Sequence, residues 1–197
     1  WSLGSGGEYV RADTLFAVRG AIMTVQTDKS LTNDLICASE WFSIRRDAER
    51  GEYVASAGDE VLIVALNAAG EVLLAREPAA AFGEPVLILP GGQVEMGVSN
   101  AEMANRELQE ELGYRAARLD SLGELLPWAK YLAVRSFVYL GRDLHESSLP
   151  GDETYAIGLE RVALADFETL IDTGRLRDAR AIAALYLARR YLQREGM

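Results

Sequence analysis

The sequence predicts an α+β fold in which a mixed sheet carries helices packed on its faces. Three observations predict it: strand-like segments are numerous, two segments carry helical spacing with caps, and the two kinds do not alternate as regular βαβ units. The chain has 197 residues, of which 49% are apolar and 25% charged, so it can bury the core of one ordinary domain plus an arm.

The first part of the chain predicts strands joined by polar turns. Residues 1–7 are rich in glycine and serine, which is typical of a flexible end or a remnant of an expression vector. β-Branched and apolar residues then recur over the predicted N-terminal strand extension, residues 8–57. The predicted elements there are strands at 15–27, 35–44 and 53–57, a polar turn at 28–34 and a charged loop at 45–52.

The remaining strands follow from turn signals. The loop Asn67-Ala68-Ala69-Gly70 predicts a hairpin between residues 61–66 and 71–76. Residues 86–89 predict a short buried strand that Pro90 stops. Further strands are predicted at 119–126, 132–140 and 157–164.

Two helices have stronger signals. Ser99 and Glu102 form a capping box for a helix over 100–112, and Gly113 is suited to its C-cap. Helical spacing predicts that its core face is formed by Ala101, Ala104, Leu108 and Leu112. A last helix is predicted at 178–193, with Ile182, Leu185, Tyr186 and Leu192 as its apolar side, and a short one at 166–173.

Composition excludes several classes of function. The net charge of −10 argues against long-range attraction to nucleic acid or to anionic membranes. A single cysteine, Cys37, excludes an intrachain disulfide, and a single histidine, His145, excludes a two-histidine metal site. His145 is predicted to lie in a loop. We see neither a signal peptide nor an apolar run of membrane-spanning length, so the expected compartment is the cytoplasm.

Three glutamates carry the most specific chemical signal. Glu107 lies three residues before Glu110 and four before Glu111. This spacing makes the three carboxylates project together from the predicted helix, where they repel one another. A divalent cation such as Mg²⁺ would relieve that repulsion, because it prefers oxygen ligands. An ordinary solvated acidic face is the alternative. A glycine-rich loop, residues 89–97, precedes the helix and can offer backbone amides or carbonyls to a phosphate or a metal; an ordinary tight turn is the alternative.

Residues 92–114 resemble the Nudix box, G-x5-E-x7-R-E-U-x-E-E-x-G-U, where U is aliphatic. Gly92 matches the first glycine, and Arg106-Glu107-Leu108-Gln109-Glu110-Glu111-Leu112-Gly113 matches the second half. Tyr114 fits the last position loosely. Val98 stands where the pattern has its first glutamate.

The resemblance implies an α/β/α sandwich with residues 58–197 as a Nudix hydrolase domain and residues 8–57 as a dimerisation arm. The wider match is to the ADP-ribose pyrophosphatase and ADP-compound hydrolase branch. It implies a homodimer that uses Mg²⁺ or Mn²⁺ to hydrolyse the pyrophosphate of a nucleoside diphosphate linked to another group. ADP-ribose, an ADP-sugar or an adenine dinucleotide is the expected substrate, and a nucleoside monophosphate is one product.

The resemblance also implies residue roles. Glu107 and Glu111, then Glu110, are the expected metal ligands, with a backbone carbonyl near Gly91; Glu110 and Glu111 are also expected to be catalytic. The general base is expected from the loop holding Asp152 and Glu153, although an ordinary acidic loop is the alternative. Expected structural residues are Gly92, Glu95, Arg106 and Gly113. Expected substrate contacts are Arg76, Arg135 and Trp128; the alternatives are exposed strand arginines and an aromatic in the core or the dimer contact.

Val98 leaves a second hypothesis open: a Nudix-fold nucleotide-binding or regulatory protein whose catalysis is weakened. A third hypothesis is an interaction module whose acidic helix is only solvated. Because valine cannot pair with Arg106, we expect Glu95 to take that place.

Overall fold

The structure is a computed structural model, and it describes residues 17–18, 21–22, 33–39, 42–151 and 153–196. The chain divides into two compact units, Trp1–Ala57 and Gly58–Met197, which we describe separately. No helix in these described ranges is long and apolar enough to cross a bilayer.

The described residues of the first unit form five short strands. β1 (Ala17–Val18) pairs antiparallel with β2 (Ala21–Ile22), so the single strand predicted at 15–27 is wrong there. The rest of that segment lies outside the described residues. β3 (Asn33–Ala38), β4 (Ser43–Asp47) and β5 (Tyr53–Ser56) form an antiparallel sheet.

The prediction of one strand at 35–44 is also wrong. The chain reverses after Ala38, where the Ser39 hydroxyl accepts a hydrogen bond from the Phe42 amide at 3.1 Å. The predicted loop at 45–52 also begins three residues too early, because residues 45–47 still pair within β4. Sequence patterning placed the strand propensity correctly but not the turn.

The second unit is built on one seven-stranded sheet. Its strands are β6 (Glu60–Leu66), β7 (Glu71–Ala79), β8 (Glu84–Ile88), β9 (Gly91–Gln93), β10 (Tyr114–Leu125), β11 (Ser136–Glu146) and β12 (Gly158–Ala163). The order is β10-β11-β6-β7-β12, with β8 paired to β7 and β9 paired to β6. β11 and β6 are parallel and the other pairs are antiparallel, which confirms the predicted mixed sheet.

Two core clusters lie on opposite faces of this sheet. Along β6, Val61, Ile63 and Ala65 pack with residues of α1 (Asn100–Glu111), whereas Val64 and Leu66 pack with residues of α3 (Ala179–Glu195). The alternation follows from the two-residue period of a strand. A short helix, α2 (Glu168–Asp172), precedes α3 and contributes Leu170 to the α3-side core. The predicted α/β/α sandwich is confirmed.

Several element bounds differ from the prediction. β10 begins at Tyr114, directly after α1, and β11 runs from Ser136 to Glu146. His145 consequently lies in a strand, where it is exposed, and the loop prediction is wrong. β9 was not predicted at all, because Gly91 and Gly92 have low strand propensity and pair with β6 through tertiary contacts.

α1 has the predicted capping box between Ser99 and Glu102, and Gly113 follows it with a left-handed φ of 75°. Met103 is buried on its core face, while Ala101 is only half-buried. On α3, Tyr186 was predicted on the apolar side but is exposed. Its hydroxyl donates a hydrogen bond to Glu168 Oε1 at 2.6 Å, and alanines fill the core positions instead.

Candidate active site

The glycine loop brings β9 and α1 together at the edge of β6. A Cβ at position 91 would collide with the Val61 carbonyl, and a Cβ at position 92 would collide with the Glu107 carboxylate. Position 91 therefore requires glycine because the Val61 backbone approaches it closely, whereas a side chain at position 92 would displace the Glu107 carboxylate. This contact places the Glu107 side chain directly against the loop.

Glu111 is the most unusual group in the described part of the chain. The Gly91 amide donates to its Oε1 at 3.2 Å, whereas its Oε2 is buried without a hydrogen-bond partner. The pKa of Glu111 is raised to about 9, mainly by burial; the charges of Glu77, Glu107 and Glu153 contribute to the increase, and the Gly91 hydrogen bond opposes it.

Glu77 and Tyr155 belong to the same cluster, and sequence reasoning missed both. The Tyr155 hydroxyl donates to Glu77 Oε2 at 3.1 Å. Burial is the main cause that raises the pKa of Glu77, and burial together with the Glu77 charge raises that of Tyr155 to about 12. Strand alternation could have found Glu77, since Leu73 and Ala75 face the α1 side and Glu77 continues that row.

Glu153 lies beside the C-terminal end of α1. A Cβ at Gly151 would lie 2.8 Å from Glu153 Oε2 and 3.6 Å from the Glu110 carbonyl. Its charge reaches Glu77, Glu111 and Tyr155 closely enough to affect their pKa values. Asp152, the other loop carboxylate considered from sequence, lies outside the described residues.

Arg106 holds the loop that precedes α1. It donates to Glu95 Oε1 and also lies 3.8 Å from Glu110 Oε1. The expected pairing of Arg106 with Glu95 is therefore present. The hydrogen bond from Arg106 to Glu95 is the main cause that raises the pKa of Arg106. Val98 packs against the α1-side core instead of pairing with Arg106.

The donor set fits a hard divalent cation. Carboxylate oxygens of Glu107 and Glu111 are the ligand type that Mg²⁺ and Mn²⁺ accept, and the unpartnered Glu111 Oε2 is a buried oxygen that a cation would satisfy. No three acidic, histidine or cysteine side chains within the described ranges already converge on a single point. Water and substrate oxygens would complete the coordination, as Mg²⁺ sites usually require.

The three expected substrate contacts lie elsewhere. Arg76 follows the alternation of β7 onto the α3 side and pairs with Glu160 Oε2 at 2.6 Å. Arg135 is largely exposed and lies 3.9 Å from Glu124. Trp128 is 62% exposed and packs edge-on against Tyr131, with the ring centroids 5.0 Å apart. Their roles in substrate binding stay predictions.

Comparison with known proteins identifies the family. A family model described as NUDIX domain matches residues 57–185. An ADP compounds hydrolase, NudE, from Escherichia coli (strain K12) is 33% identical over 125 residues, which cover 64% of this chain and 67% of that protein. An ADP-ribose pyrophosphatase from Bacillus subtilis (strain 168) is 25% identical over 135 residues, covering 68% and 71% respectively.

A solved crystal structure titled as an ADP compounds hydrolase superposes with a TM-score of 0.72 at 25% identity, and covers 92% of this chain and 98% of that one. The family match spans more than half of the chain and includes every residue of the carboxylate cluster. The chain belongs to the Nudix family and is a Nudix hydrolase.

Proposed function

We propose that this Nudix hydrolase cleaves the pyrophosphate bond of an ADP-linked compound, such as ADP-ribose, an ADP-sugar or an adenine dinucleotide, in a reaction that depends on Mg²⁺ or Mn²⁺. The products are AMP and the phosphorylated second group. The observation that carries the proposal is the buried, unpartnered Glu111 Oε2 within a carboxylate cluster at the glycine loop. The names of the relatives support the ADP-linked substrate class.

Each residue of the proposed cation site has a separate role. Glu107 and Glu111 would hold the cation, and the Gly91 amide fixes the orientation of the Glu111 carboxylate. When bound, a divalent cation supplies charge neutralisation at the pyrophosphate oxygens and lowers the pKa of the attacking water. Burial of Glu111 restricts bulk water, so these electrostatic interactions are stronger than at an exposed site.

Glu153 is the proposed proton acceptor. The water oxygen forms a bond to one phosphorus, the bond from that phosphorus to the bridging oxygen breaks, and the water proton passes to the Glu153 carboxylate. The position of Glu153 at the end of α1 brings a carboxylate near the Glu107 and Glu111 pair from a separate loop. Glu110, Arg106 and Glu95 fix the loop that carries the glycines.

A panel assay tests this function. The wild-type protein is incubated with ADP-ribose, ADP-glucose, NADH and, as a comparison, GDP-mannose, with Mg²⁺ or Mn²⁺, and the products are separated by chromatography. We expect AMP from at least one ADP compound, loss of the activity with a chelator, and little product from Glu111→Gln. Absence of AMP from every ADP compound with both metals would contradict the proposal.

The weakened-catalysis alternative rests on Val98. Because Arg106 already has Glu95 as a partner, the loop does not depend on a carboxylate at position 98. Binding of an ADP compound without AMP release would favour the alternative, and turnover of the bound compound would exclude it. The homodimer formed through residues 8–57 stays a prediction, because the structure describes a single chain. The cytoplasmic location also stays a prediction.

A further inference from the structure

The loop that carries Glu153 is fixed to the domain by contacts on two sides. At its start, the Ser147 amide donates to the Gly113 carbonyl at 2.8 Å, and the Leu149 amide donates to the Gln109 carbonyl at 3.1 Å. Both contacts attach the loop to the region of α1. At its end, Gly158 pairs with Arg76 as β12 joins β7.

Tyr155 provides a side-chain anchor between these two ends. Its hydroxyl donates to Glu77 Oε2 on β7 at 3.1 Å, and Ile157 packs against the α1-side core. Tyr155 is two residues beyond Glu153, and Glu77 directly follows Arg76, which pairs with Gly158. The bond therefore fixes the middle of the loop to a rigid strand.

We propose that Tyr155 is a positioning residue of this hydrolase: its hydrogen bond to Glu77 holds the loop so that Glu153 stays beside the end of α1. This inference rests on the proposed function, in which Glu153 accepts the proton. A Cβ on Gly151 would lie 2.8 Å from Glu153 Oε2 and 3.6 Å from the Glu110 carbonyl, and the Glu153 charge acts on Glu111, so a small shift of the loop would move the carboxylate away from Glu111. Misplacement by about 1 Å can cost up to about a hundredfold in rate.

The chain offers a closely matched control at Tyr186. Tyr155 and Tyr186 are each 42% exposed, and each donates its hydroxyl proton to a glutamate. Tyr186 does so to Glu168 beside α3, on the opposite face of the sheet from the carboxylate cluster. Replacing either tyrosine by phenylalanine removes one hydroxyl and leaves the ring.

Steady-state kinetics with the best ADP substrate form the first test. We expect Tyr155→Phe to lower kcat by about tenfold with KM changed less than twofold, a loss of about 1.4 kcal/mol in transition-state stabilisation. Tyr186→Phe should keep wild-type kinetics. Mn²⁺ affinity by calorimetry should be the same for both variants, because the hydroxyl of Tyr155 does not hold the metal ligands. Unchanged kcat in Tyr155→Phe, or equal losses in the two variants, would overturn the proposal.

A double-mutant cycle tests whether Tyr155 acts through Glu153. In a Glu153→Gln background, Tyr155→Phe should cause no further loss of kcat, whereas two independent residues would give additive losses. Glu77→Ala removes the acceptor of the same bond, so it should reproduce the kcat loss if the phenylalanine variant fails to fold. Additive losses in the cycle would overturn the proposal.

Hydrogen exchange separates failure of this inference from failure of the proposed function. In metal-free protein without substrate, Tyr155→Phe should speed amide exchange at residues 153–157, and Tyr186→Phe should not. Wild type that releases no AMP would refute the proposed function. Wild type that releases AMP, with unchanged exchange and kcat in Tyr155→Phe, would refute only the role of Tyr155.

Discussion

The charged side chains beside α3 and those around Glu111, on opposite faces of the central sheet, have opposite kinds of neighbours. On the α3 side, Arg142 bridges Asp120 and Glu195, and the bond to Glu195 Oε2 is 2.8 Å. Arg180 pairs with Glu60 at 2.7 Å, and Arg189 pairs with Glu168 at 2.9 Å. On the α1 side, Glu111 lies among Glu77, Glu107 and Glu153, and its Oε2 has no partner.

This difference shows which part of the fold is structural and which part is less stable because it serves function. Paired charges beside α3 attach the last helix to β6, β10 and β11, and their role is structural. A buried carboxylate surrounded by other carboxylates destabilises the folded chain unless a cation joins it. Local conflicts of this kind are expected at functional sites and not in the structural core.

The largest expected effect is at Glu111. Glu111→Gln removes a charge from the proposed cation site without changing side-chain size, so turnover should fall at least about a hundredfold, equivalent to about 2.7 kcal/mol. Glu195→Gln makes the same change at a carboxylate paired with Arg142 and should leave turnover per folded molecule unchanged. Parallel kcat measurements on the two purified variants check the comparison. Near wild-type turnover in Glu111→Gln would remove Glu111 from the site.

The next effect is on stability, at the α3 side. Arg142→Met removes the buried arginine that pairs with Asp120 and Glu195, since Arg142 is only 8% exposed, and leaves them only the half-exposed Arg118 as a shared arginine partner. We expect a loss of about 2–3 kcal/mol in the free energy of unfolding, measured by urea denaturation. Turnover of the folded fraction should remain that of the wild type. A loss of turnover without a loss of stability would mean that the two faces are not functionally separate.

A smaller effect is expected at the loop before α1. Glu95→Ala removes the partner of Arg106 and should lower kcat by about tenfold by loosening the glycine loop. Val98→Glu supplies a carboxylate at the family's usual position. It should raise wild-type turnover by up to about threefold and restore most of the loss in the Glu95→Ala background. Kinetics of the two single variants and the double variant test this; no rescue would show that position 98 does not reach Arg106.

The smallest expected effect concerns the pH dependence of metal-free stability. Glu111 has a pKa of about 9 in the folded chain against an ordinary value of 4.5, so the folded state binds the extra proton. The contribution of Glu111 to the free energy of unfolding is greatest at low pH and is lost as the pH rises from about 4.5 towards 9. Melting temperatures in chelator should therefore fall more steeply over this range for wild type than for Glu111→Gln. Equal slopes of melting temperature against pH in wild type and Glu111→Gln would contradict the burial of Glu111.

Much of this site could be predicted from sequence because its residues lie close together along the chain. Helical spacing placed Glu107 and Glu111 on one helix, and the capping box fixed where that helix begins. The partner of Arg106 was also predictable, since Glu95 is the nearest loop carboxylate. In each of these cases local chemistry decides the contact.

The contact between Glu77 and Tyr155 could not be predicted in the same way, because 78 residues separate them in the chain. Their contact depends on β12 returning beside β7, which no local pattern specifies. The exposed position of Tyr186 was missed for a similar reason. Its aromatic ring fits the helical spacing of the apolar side. Only the tertiary structure shows that alanines fill the core there and that the Tyr186 hydroxyl donates a hydrogen bond to Glu168.

The most direct measurement of the central claim is calorimetric titration of the metal-free protein with Mn²⁺ at pH 7.5, in two buffers of different ionisation enthalpy. Because Glu111 is protonated at that pH in the metal-free chain, binding should release about one proton per ion from wild type. Glu195→Gln should release the same number, while Glu111→Gln should bind at least about tenfold more weakly and release none. Equal affinity and equal proton release in wild type and Glu111→Gln would contradict the assignment of Glu111 as the buried ligand.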